Sequence, residues 1–570
     1  MKPSQLTDQL LSPEPRRSVS GARLVIELLE RQGVTHVSGI PGGANLPLYD
    51  ALAVSAIKHV LARHEQGAGF ITQGMARASG QAQVCFASSG PGATNLITAV
   101  ADAMLDSIPL VAITGQVPND MIGTDAFQEV DTFGLMLPIT KHNWLVRSAE
   151  ELLEVIPAAF RIALSGRPGP VSIDIPKDVQ NEVIEISALP EPGIADPMPV
   201  AFTSLVDDML ERIYRAKKPL AMVGGGTVYA GAETSLRQWI ESLQIPFVQT
   251  FMGLGAIPSD HELCLGMLGM HGAGYTNMAM EECDLLIGLG VRFDDRATGK
   301  VEAFCPNAEI IHIDIDPGEI GKITRPVLSI NADVGQLLDA ANRRLTPQAR
   351  TEWFDRISEL KQQLPLKLEG EHDPFKPYGA IRSVADALDH PAFVTTDVGQ
   401  HQMWVAQAYP FTFARQWISS GGLGTMGFGL PAAIGAALTA PERKVICFTG
   451  DGSLMMNIQE LATLAEEELD VKVIVLNNGH LGLVRQQQTL FYNSNLNAVK
   501  FRQPADFVLA ARSMGIAGLN LGESANPIQD LHEALNAAGP CLIDIPIRET
   551  EMVFPMVAPG EANSNMIMEA

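Results

Sequence analysis

The stretch that decides the fold is KVICFTGDGSLMMNIQELATLAEEELDVKVIVLNN, residues 444–478. It begins with an apolar strand, KVICFT, which runs into the sequence GDGS at 450–453. A helical segment follows, and a second apolar strand, VKVIVL, runs into NN at 477–478. Two apolar strands joined by a helix form a βαβ unit of a parallel sheet. The sequence therefore predicts that polar groups at both strand ends meet at the carboxyl edge of the sheet, where such folds bind ligands.

The polar groups at these strand ends suit a cation bound to a diphosphate. Asp451 and Asn478, 27 residues apart, offer hard oxygen ligands of the kind that Mg²⁺ prefers, with its remaining ligands taken from water and phosphates. The glycines allow a diphosphate to approach the backbone, and a helix starting near Leu454 offers its amides. For GDG alone, an ordinary turn with a capping Asp is an equal alternative, but the spaced Asn pair argues against it. The predicted diphosphate residues are Gly450, Asp451, Gly452, Ser453 and Asn478.

Alternation of strands and helices continues on both sides of this stretch, which predicts an α/β protein with open parallel sheets. Proline-rich or glycine-bearing connectors near 184–200 and after Lys367 divide the chain. We expect an N-terminal extension at 1–20 and three Rossmann-like domains, and these domains cover residues 21–185, 200–345 and 375–560.

Composition excludes several classes of partner. The 570 residues hold 65 acidic and 40 basic side chains, a net charge of −25, so no basic field attracts nucleic acid or an anionic membrane. The longest uncharged stretch, 416–441, contains six glycines and Pro431, which suit loops better than a transmembrane helix. The first twenty residues lack the apolar core of a signal peptide, so we expect none there, and the six cysteines form no C-x-x-C pair. These features indicate a cytoplasmic enzyme.

Nine segments, in order, resemble those of the catalytic subunits of acetohydroxyacid synthase (acetolactate synthase), a thiamine-diphosphate enzyme family, and the resemblance covers nearly everything from Gly21 to about Pro559. The resemblance implies three Rossmann-like domains that bind, in order, the pyrimidine ring, FAD, and the diphosphate with Mg²⁺. It also implies decarboxylation of pyruvate and transfer of the hydroxyethyl unit to pyruvate or 2-ketobutyrate, in branched-chain amino acid biosynthesis. The segments are PGG (41–43), RHEQGAGF (63–70), SGPGATN (89–95), GTDAFQE (123–129), SGRPGPVSIDIPKD (165–178), LGMLGMHG (266–272), GVRFDDR (290–296), GTMGFGLPAA (424–433) and GDGSLMMNIQELAT (450–463).

Glu65 follows the strand HVLARH, from which a carboxylate reaches a crevice at a strand end. A lone Glu in a loop is usually a solvated charge, but the RHEQGA context matches the family's cofactor-activating Glu, which hydrogen-bonds the pyrimidine ring. By the same resemblance, Met426 supports the bent cofactor, and the main-chain carbonyl of His480 joins Asp451 and Asn478 around Mg²⁺. The resemblance also places Gly43, Phe127, Gln128 and Lys177 at the substrate.

The middle domain is expected to hold FAD. Glycines 224–226 close the strand KPLAMV as a flavin diphosphate loop would, and Asp314 ends the strand IIHI, where it can bond a ribose hydroxyl. A GGG turn alone is weak evidence of a flavin. By pattern and resemblance together, the predicted FAD residues are Arg167, Gly224, Gly225, Gly226, Met270, His271, Arg292, Asp294, Arg296, Asp314 and Asp333.

The sequence departs from the family pattern after HLGLV, where Gln487 occupies the position of the usual Trp. A glutamine offers less apolar surface to the extra methylene of 2-ketobutyrate, so we expect a weak preference for that acceptor.

The resemblance also implies partners, because in this family the cofactor lies between two subunits. We therefore expect a homodimer or higher homo-oligomer, and a separate small regulatory subunit. Two rival interpretations remain: another FAD-containing thiamine enzyme, such as a pyruvate oxidase, or a flavoprotein binding module that has lost thiamine chemistry. Intact Glu65, Asp451 and Asn478 argue against the second.

Overall fold

The architecture, in a computed structural model that describes residues 16–569, consists of three parallel six-stranded sheets in succession along the chain. Helices cover the sheets, and the central strands are apolar and buried, as is typical of parallel sheets. The predicted α/β fold of three open sheets is confirmed. None of the helices between residues 16 and 569 has both the length and the apolar character needed to cross a bilayer.

The first sheet has its chain reversal next to β2, because β3 lies on one side of it and β4 on the other. Its strand order is β3-β2-β4-β5-β7-β6. Residues 1–15 of the expected N-terminal extension lie outside the described residues, whereas β1 pairs antiparallel with β8 at the start of the proline-rich connector. The strands are β1 (Arg17–Ser20), β2 (His36–Gly39), β3 (Lys58–Leu61), β4 (Gln83–Ala87), β5 (Leu110–Gln116), β6 (His142–Leu145), β7 (Val171–Pro176) and β8 (Val183–Ile186). The α-helices are α1 (Gly21–Arg31), α2 (Leu46–Leu52), α3 (Glu65–Ser79), α4 (Pro91–Asp106), α5 (Thr132–Met136), α6 (Leu152–Leu164) and α7 (Lys177–Asn181).

The second sheet reverses next to its first strand, β9, and has the order β11-β10-β9-β12-β13-β14. Ligands bind in such sheets at the carboxyl ends of the strands where the order reverses. The turn after β9 is therefore the favoured ligand position of this domain. The strands are β9 (Pro219–Val223), β10 (Phe247–Gln249), β11 (Cys264–Met267), β12 (Leu285–Leu289), β13 (Glu309–Asp314) and β14 (Leu328–Asn331). The α-helices are α8 (Thr203–Arg215), α9 (Gly225–Tyr229), α10 (Glu233–Leu243), α11 (Gly274–Glu282), α12 (Asp295–Thr298), α13 (Val334–Asn342) and α14 (Thr351–Gln363).

The third sheet repeats the strand arrangement of the first, with the order β16-β15-β17-β18-β20-β19, so its reversal lies between β15 and β17. A short antiparallel pair, β21 with β22, follows it. The strands are β15 (Phe393–Thr396), β16 (Trp417–Ile418), β17 (Val445–Gly450), β18 (Val471–Asn477), β19 (Ala517–Asn520), β20 (Cys541–Pro546), β21 (Met556–Val557) and β22 (Met566–Ile567). The α-helices are α15 (Pro377–Asp386), α16 (Gln400–Ala408), α17 (Gly429–Thr439), α18 (Asp451–Leu454), α19 (Glu460–Glu466), α20 (Gly482–Phe491), α21 (Phe507–Ser513) and α22 (Pro527–Asn536).

Helices α3 and α17 join the first sheet to the third by direct backbone contact. A Cβ added at Gly74 would overlap the carbonyl oxygen of Ala432, and one added at Gly435 would overlap that of Ile71. Because no side chain separates the two helices at these points, only glycine fits there.

A buried ionic cluster reinforces this junction. The Arg77 guanidinium lies 2.9 Å from an Asp106 oxygen and 3.2 Å from an Asp102 oxygen, and it donates to the carbonyl of Ser419 at 2.9 Å. Asp102 in turn accepts from the Thr425 hydroxyl at 2.8 Å. Removing one member of such a buried cluster leaves an unpaired charge and costs about 3–5 kcal/mol. The cluster therefore fixes residues 419–427, the loop that connects β16 to α17.

Candidate active site

The carboxyl ends of β17 and β18 adjoin, with Gly450 paired to Leu476 in parallel register. This register places Asp451 and Asn478 at one edge of the third sheet, facing a cavity of about 140 Å³. Helix α18 starts at Asp451, three residues earlier than expected, and ends at Leu454, so the amides of Gly452 and Ser453 lie at the cavity itself. The predicted residues that line this cavity are Met426, Gly450, Asp451, Gly452, Ser453, Asn478 and His480.

Asp451 has a carboxylate oxygen without a partner. Its side chain is 5 % exposed, Oδ1 accepts from the Gly452 amide at 2.9 Å, and Oδ2 has no hydrogen-bond partner. Burial raises the pKa of Asp451 to about 6, against the opposing effect of the backbone amides of Gly452 and Gly479. A buried carboxylate oxygen with no donor is costly unless a cation neutralises it.

The neighbouring oxygens suit the same cation. Asn478 Oδ1 accepts only one hydrogen bond, from the His480 amide at 3.0 Å. Within residues 16–569, no three His, Cys, Asp or Glu side chains gather as a metal cage. A cation here would take its ligands from one carboxylate, one amide oxygen, a main-chain carbonyl and the phosphates of a cofactor. That set of hard oxygens fits Mg²⁺.

A side chain would not fit at Gly450, the last residue of β17, or at Gly452 in α18. A Cβ at Gly450 would lie 2.9 Å from His401 Nδ1, and one at Gly452 would lie 2.7 Å from the Leu481 side chain. The Ser453 hydroxyl donates to the carbonyl of Val398 at 2.6 Å, which ties this turn to the end of β15.

Sequence reasoning missed the contribution of β15. The segment after β15 supplies Val398, Gly399, Gln400 and His401 to the same cavity. His401 is buried, burial lowers its pKa to about 3, and its Nε2 has no partner, so a neutral ring faces the cavity with one free nitrogen. The sequence does contain a signal for it, because the apolar strand AFVTTDVG ends in polar and glycine residues. The rule that the carboxyl ends of adjacent parallel strands share one edge of the sheet predicts that this strand end is also part of the site.

Glu65 is the first residue of α3 and is half-buried. Its Oε2 accepts from Asn95 Nδ2 at 2.9 Å. The turn that carries it is held from the third domain, because Glu460 Oε1 accepts from the amides of Arg63 and His64 at 3.0 and 3.1 Å. Glu65 does not line the cavity that contains Asp451. Within one chain, the turn before Glu65 therefore contacts Glu460 of α19. Glu65 itself does not share a cavity with Asp451.

Four further predicted residues of the first domain also lie outside the Asp451 cavity and outside the larger cavity at the second sheet. Phe127 is 87 % exposed, and Gln128 adopts a positive φ of 60° against Gly90. Gly43 has open space around its Cα, and Lys177 begins α7 directly after β7. All four follow strands of the first sheet, and Gly43, Phe127 and Gln128 are exposed in the single chain.

A second cavity, of about 560 Å³, opens at the reversal of the second sheet. Its volume is that of a site for a large cofactor. Gly224 is not among the lining residues; a Cβ there would overlap the carbonyl of Gly290, so this glycine serves the packing of β9 against β12. The predicted residues that line this cavity are Arg167, Gly225, Gly226, Met270, His271, Arg292, Asp294, Arg296, Asp314, Asp333 and Gln487.

The charged groups of this cavity are partly engaged within the chain. Arg167 Nη1 lies 2.7 Å from Glu319, and Arg292 Nη1 donates to the carbonyl of Leu105 at 2.8 Å. Burial raises the pKa of Asp314 to about 6 and lowers that of His271 to about 4, so this histidine is neutral at pH 7.

Two other predicted residues act as helix caps. Asp294 accepts from the amides of Arg296 and Ala297 at the start of α12, and Asp333 accepts from the Gln336 amide at the start of α13. A helix cap needs only one carboxylate oxygen, so these residues can border a ligand as well.

The two cavities meet beside α20. Val398 and Leu483 line both of them, while Gln487, one turn further along α20, lines the larger one. Gln487 therefore lies in the larger cavity, close to the point where it meets the cavity that contains Asp451.

Comparison with known proteins gives matches over nearly the whole chain. The family descriptions that match are "Thiamine pyrophosphate enzyme, N-terminal TPP binding domain" at residues 19–135, its central domain at 206–341 and its C-terminal TPP binding domain at 397–545. The chain is 54% identical, over 97% of its length and 98% of the relative, to the acetolactate synthase isozyme 1 large subunit of Escherichia coli K12. It is 44% identical to the isozyme 2 large subunit of the same organism, over 96% of the chain and 99% of the relative. It is also 44% identical to the chloroplastic acetolactate synthase of Arabidopsis thaliana, over 100% of the chain and 87% of the relative.

Proposed function

Because the chain belongs to the thiamine pyrophosphate enzymes, among the acetolactate synthase large subunits, we propose that it decarboxylates pyruvate and joins the two-carbon unit to a second 2-ketoacid. Thiamine pyrophosphate, also called thiamine diphosphate, supplies when bound the nucleophilic carbon and the electron sink for both steps. The observation that carries the proposal is that Asp451, with its unpartnered carboxylate oxygen, and Asn478 follow adjoining strand ends.

We propose that Asp451, Asn478 and the main-chain carbonyl of His480 bind Mg²⁺. The glycine turn and the amides of Gly452 and Ser453 would then lie beside the cofactor diphosphate, since amides at a helix start favour anions; the Gly452 amide also donates to Asp451 Oδ1. Neutralisation by the cation removes the cost of the buried Asp451 charge.

Met426 lies in the glycine-rich turn between Gly424 and Gly427, both of which have positive φ. We propose that its side chain props the thiazolium ring of the cofactor. The Arg77 cluster anchors the same loop, so the position of this support is set by buried ion pairs.

We propose that Glu65 acts in trans, in a homodimer or higher homo-oligomer. The Glu65 carboxyl would hydrogen-bond the pyrimidine ring nitrogen and so favour the imino tautomer of the ring, whose nitrogen would be the base toward the reacting carbon. In one chain Glu65 does not line the Asp451 cavity, and neither do Gly43, Phe127, Gln128 and Lys177. A second copy would place these groups against its own diphosphate cavity and would exclude water from it.

We propose that the larger cavity binds FAD in a structural role, since neither decarboxylation nor ligation transfers electrons to an acceptor. Its volume, its place at the strand reversal and the arginines at its rim support a dinucleotide. Arg292 and Arg296 offer charge to the diphosphate, and Asp314 offers a carboxylate to a ribose.

The names of the two Escherichia coli relatives include the words "large subunit", and we propose that this chain too works with a small regulatory subunit. We also propose a cytoplasmic location. All six cysteines lie among the described residues and are buried and free, as in a reducing compartment.

The test is an assay of the purified protein with pyruvate, in which thiamine diphosphate, Mg²⁺ and FAD are omitted in turn. We expect acetolactate without any electron acceptor, and loss of product when thiamine diphosphate or Mg²⁺ is removed. A product that forms only when an electron acceptor is present would refute the synthase and indicate an oxidase. Light scattering at several protein concentrations tests the oligomer.

A further inference from the structure

The Asn478 side chain can ligate a cation only if its amide group has the correct orientation. Its amide has an oxygen at one end and an NH₂ group at the other, of nearly equal shape, so packing alone does not select which end faces a cation. Only the oxygen can ligate. Some hydrogen-bond partner must therefore hold the NH₂ group on the opposite side.

The partner of the NH₂ group is Gln400, the first residue of α16. Asn478 Nδ2 donates to Gln400 Oε1 at 3.3 Å. Gln400 Nε2 donates to the carbonyl of Glu551 at 2.9 Å and to Gln486 Oε1 at 3.0 Å. Both of these partners are acceptors, so the NH₂ end of Gln400 must face them. Its oxygen consequently has to face Asn478.

Gln486, on α20, is held by the backbone of the segment after β20. Its Oε1 accepts from the Val553 amide at 2.8 Å, and its Nε2 donates to the Val553 carbonyl at 2.9 Å. A main-chain amide can only donate and a main-chain carbonyl can only accept, which fixes the orientation of the Gln486 amide. Gln486 is 0 % exposed, so water cannot replace these bonds.

We propose that Gln400 and Gln486 are positioning residues that turn the Asn478 oxygen toward the cation, with the backbone of Glu551 and Val553 as their fixed reference. We call this series of hydrogen bonds the amide relay. It rests on the proposed role of Asn478 as a Mg²⁺ ligand. It also makes the segment 551–553, more than 70 residues from Asn478 along the chain, part of the metal site.

Gly482 leaves the space in which the side chains of Gln400 and Asn478 meet. A Cβ added at Gly482 would overlap Gln400 Oε1 and lie 2.6 Å from Asn478 Nδ2. Any larger residue at the start of α20 would separate the two amides. Gly482→Ala therefore perturbs the relay without removing either glutamine.

The chain provides a matched control on the same helix. Gln488 also clamps a backbone, since its Nε2 donates to the Asn497 carbonyl at 3.1 Å and its Oε1 accepts from the Asn497 amide at 3.0 Å. Gln488 lines neither cavity. Gln488→Leu removes the same number of backbone bonds as Gln486→Leu but leaves the relay intact.

The experiment measures the dissociation constant of Mg²⁺ by calorimetry, with the full chain saturated in thiamine diphosphate. Loss of a residue that orients a metal ligand costs 10–100-fold in affinity. We expect a loss of about that size for Gln400→Leu, Gln486→Leu and Gly482→Ala, and a change within about twofold for Gln488→Leu. Because the residues act in series, the double variant Gln400→Leu/Gln486→Leu should bind Mg²⁺ no more weakly than Gln400→Leu alone.

The outcomes separate the relay from the metal site on which it rests. Normal Mg²⁺ affinity in Gln400→Leu and Gly482→Ala, beside tight binding in the wild type, would overturn the relay alone. A wild type that binds no Mg²⁺ would overturn the proposed metal role of Asn478, and the relay with it. If one glutamine variant fails to fold, normal Mg²⁺ affinity in Gly482→Ala would still overturn the relay; support for the relay then needs weaker binding in the other glutamine variant, because a Cβ at Gly482 also meets Asn478 Nδ2.

Discussion

Replacement of Gln487 by Trp should change which 2-ketoacid the enzyme accepts second. Gln487 lines the larger cavity next to Leu483, one of the two residues shared with the diphosphate cavity. An acceptor that meets the reacting carbon there would place its alkyl group against this side chain. The polar amide of glutamine favours water over a methyl group, whereas an indole face would be apolar.

The size of the effect follows from one methylene, the difference between pyruvate and 2-ketobutyrate. Burying one methylene is worth about 0.8 kcal/mol, or roughly fourfold, and a fitted apolar pocket raises this to about 1–3 kcal/mol. We expect the wild type to prefer 2-ketobutyrate by a factor of about one to ten, at the low end of that range. Gln487→Trp should increase the preference by at least about fourfold.

The assay is a competition with both ketoacids present, scored as acetolactate against acetohydroxybutyrate. Gln487→Leu tests whether apolar area alone suffices, and Gln488→Trp places an indole on the same helix outside both cavities. A wild-type preference above about a hundredfold would show that other residues build the pocket. Equal preferences in the two Trp variants would refute a local role for position 487.

Three further perturbations test the site and its surroundings. Asp451→Ala should abolish activity and weaken thiamine diphosphate binding in the presence of Mg²⁺, because a carboxylate ligand is lost; calorimetry measures this, and an unchanged affinity would remove Asp451 from the metal site. Glu65→Gln should retain the fold and FAD content but slow hydrogen–deuterium exchange at the cofactor's C2 by about 10²–10⁴-fold, and exchange at the wild-type rate would exclude the proton-holding role. Burial raises the pKa of Asp174 to about 7, although hydrogen bonds from Thr114 and Gln116 oppose this shift. The stabilisation that the protonated Asp174 side chain gives is therefore complete below about pH 4 and is lost as the pH rises to 7, a change of about 4 kcal/mol in the free energy of unfolding. The melting temperatures of Asp174→Asn and the wild type should thus be close at pH 4 and separate by several degrees at pH 8 in favour of the variant, and parallel pH curves would contradict this.

The strand ends could be predicted from the sequence because parallel register leaves little freedom. Once KVICFT and VKVIVL are adjacent parallel strands, the residues that follow them must share an edge of the sheet. The same rule explains why the turn after β9 lies at a cavity. The metal and FAD ligands themselves stay predictions, since strand position fixes proximity and not ligation.

Interactions between distant segments could not be predicted in this way. Three consecutive glutamines, Gln486 to Gln488, look equivalent in the sequence, and only their burial and partners distinguish the relay residue from the cavity residue and the surface clamp. The Arg77 cluster likewise joins residues from three separated segments. A helical pattern indicates which face is buried but not which ion meets it.

The glycine contact between α3 and α17 has a consequence for the timing of synthesis. Helix α17 ends at Thr439, 360 residues after α3 ends at Ser79 (439 − 79). At about 5–20 residues per second, a ribosome needs roughly 20–70 s to produce the surface that covers α3. During that interval the nascent first domain exposes a helix whose face is built of Gly67, Ile71, Gly74 and Met75 rather than charged side chains. Chaperones that bind apolar helices therefore have a defined target on the emerging chain, and the first domain expressed alone should aggregate for the same reason.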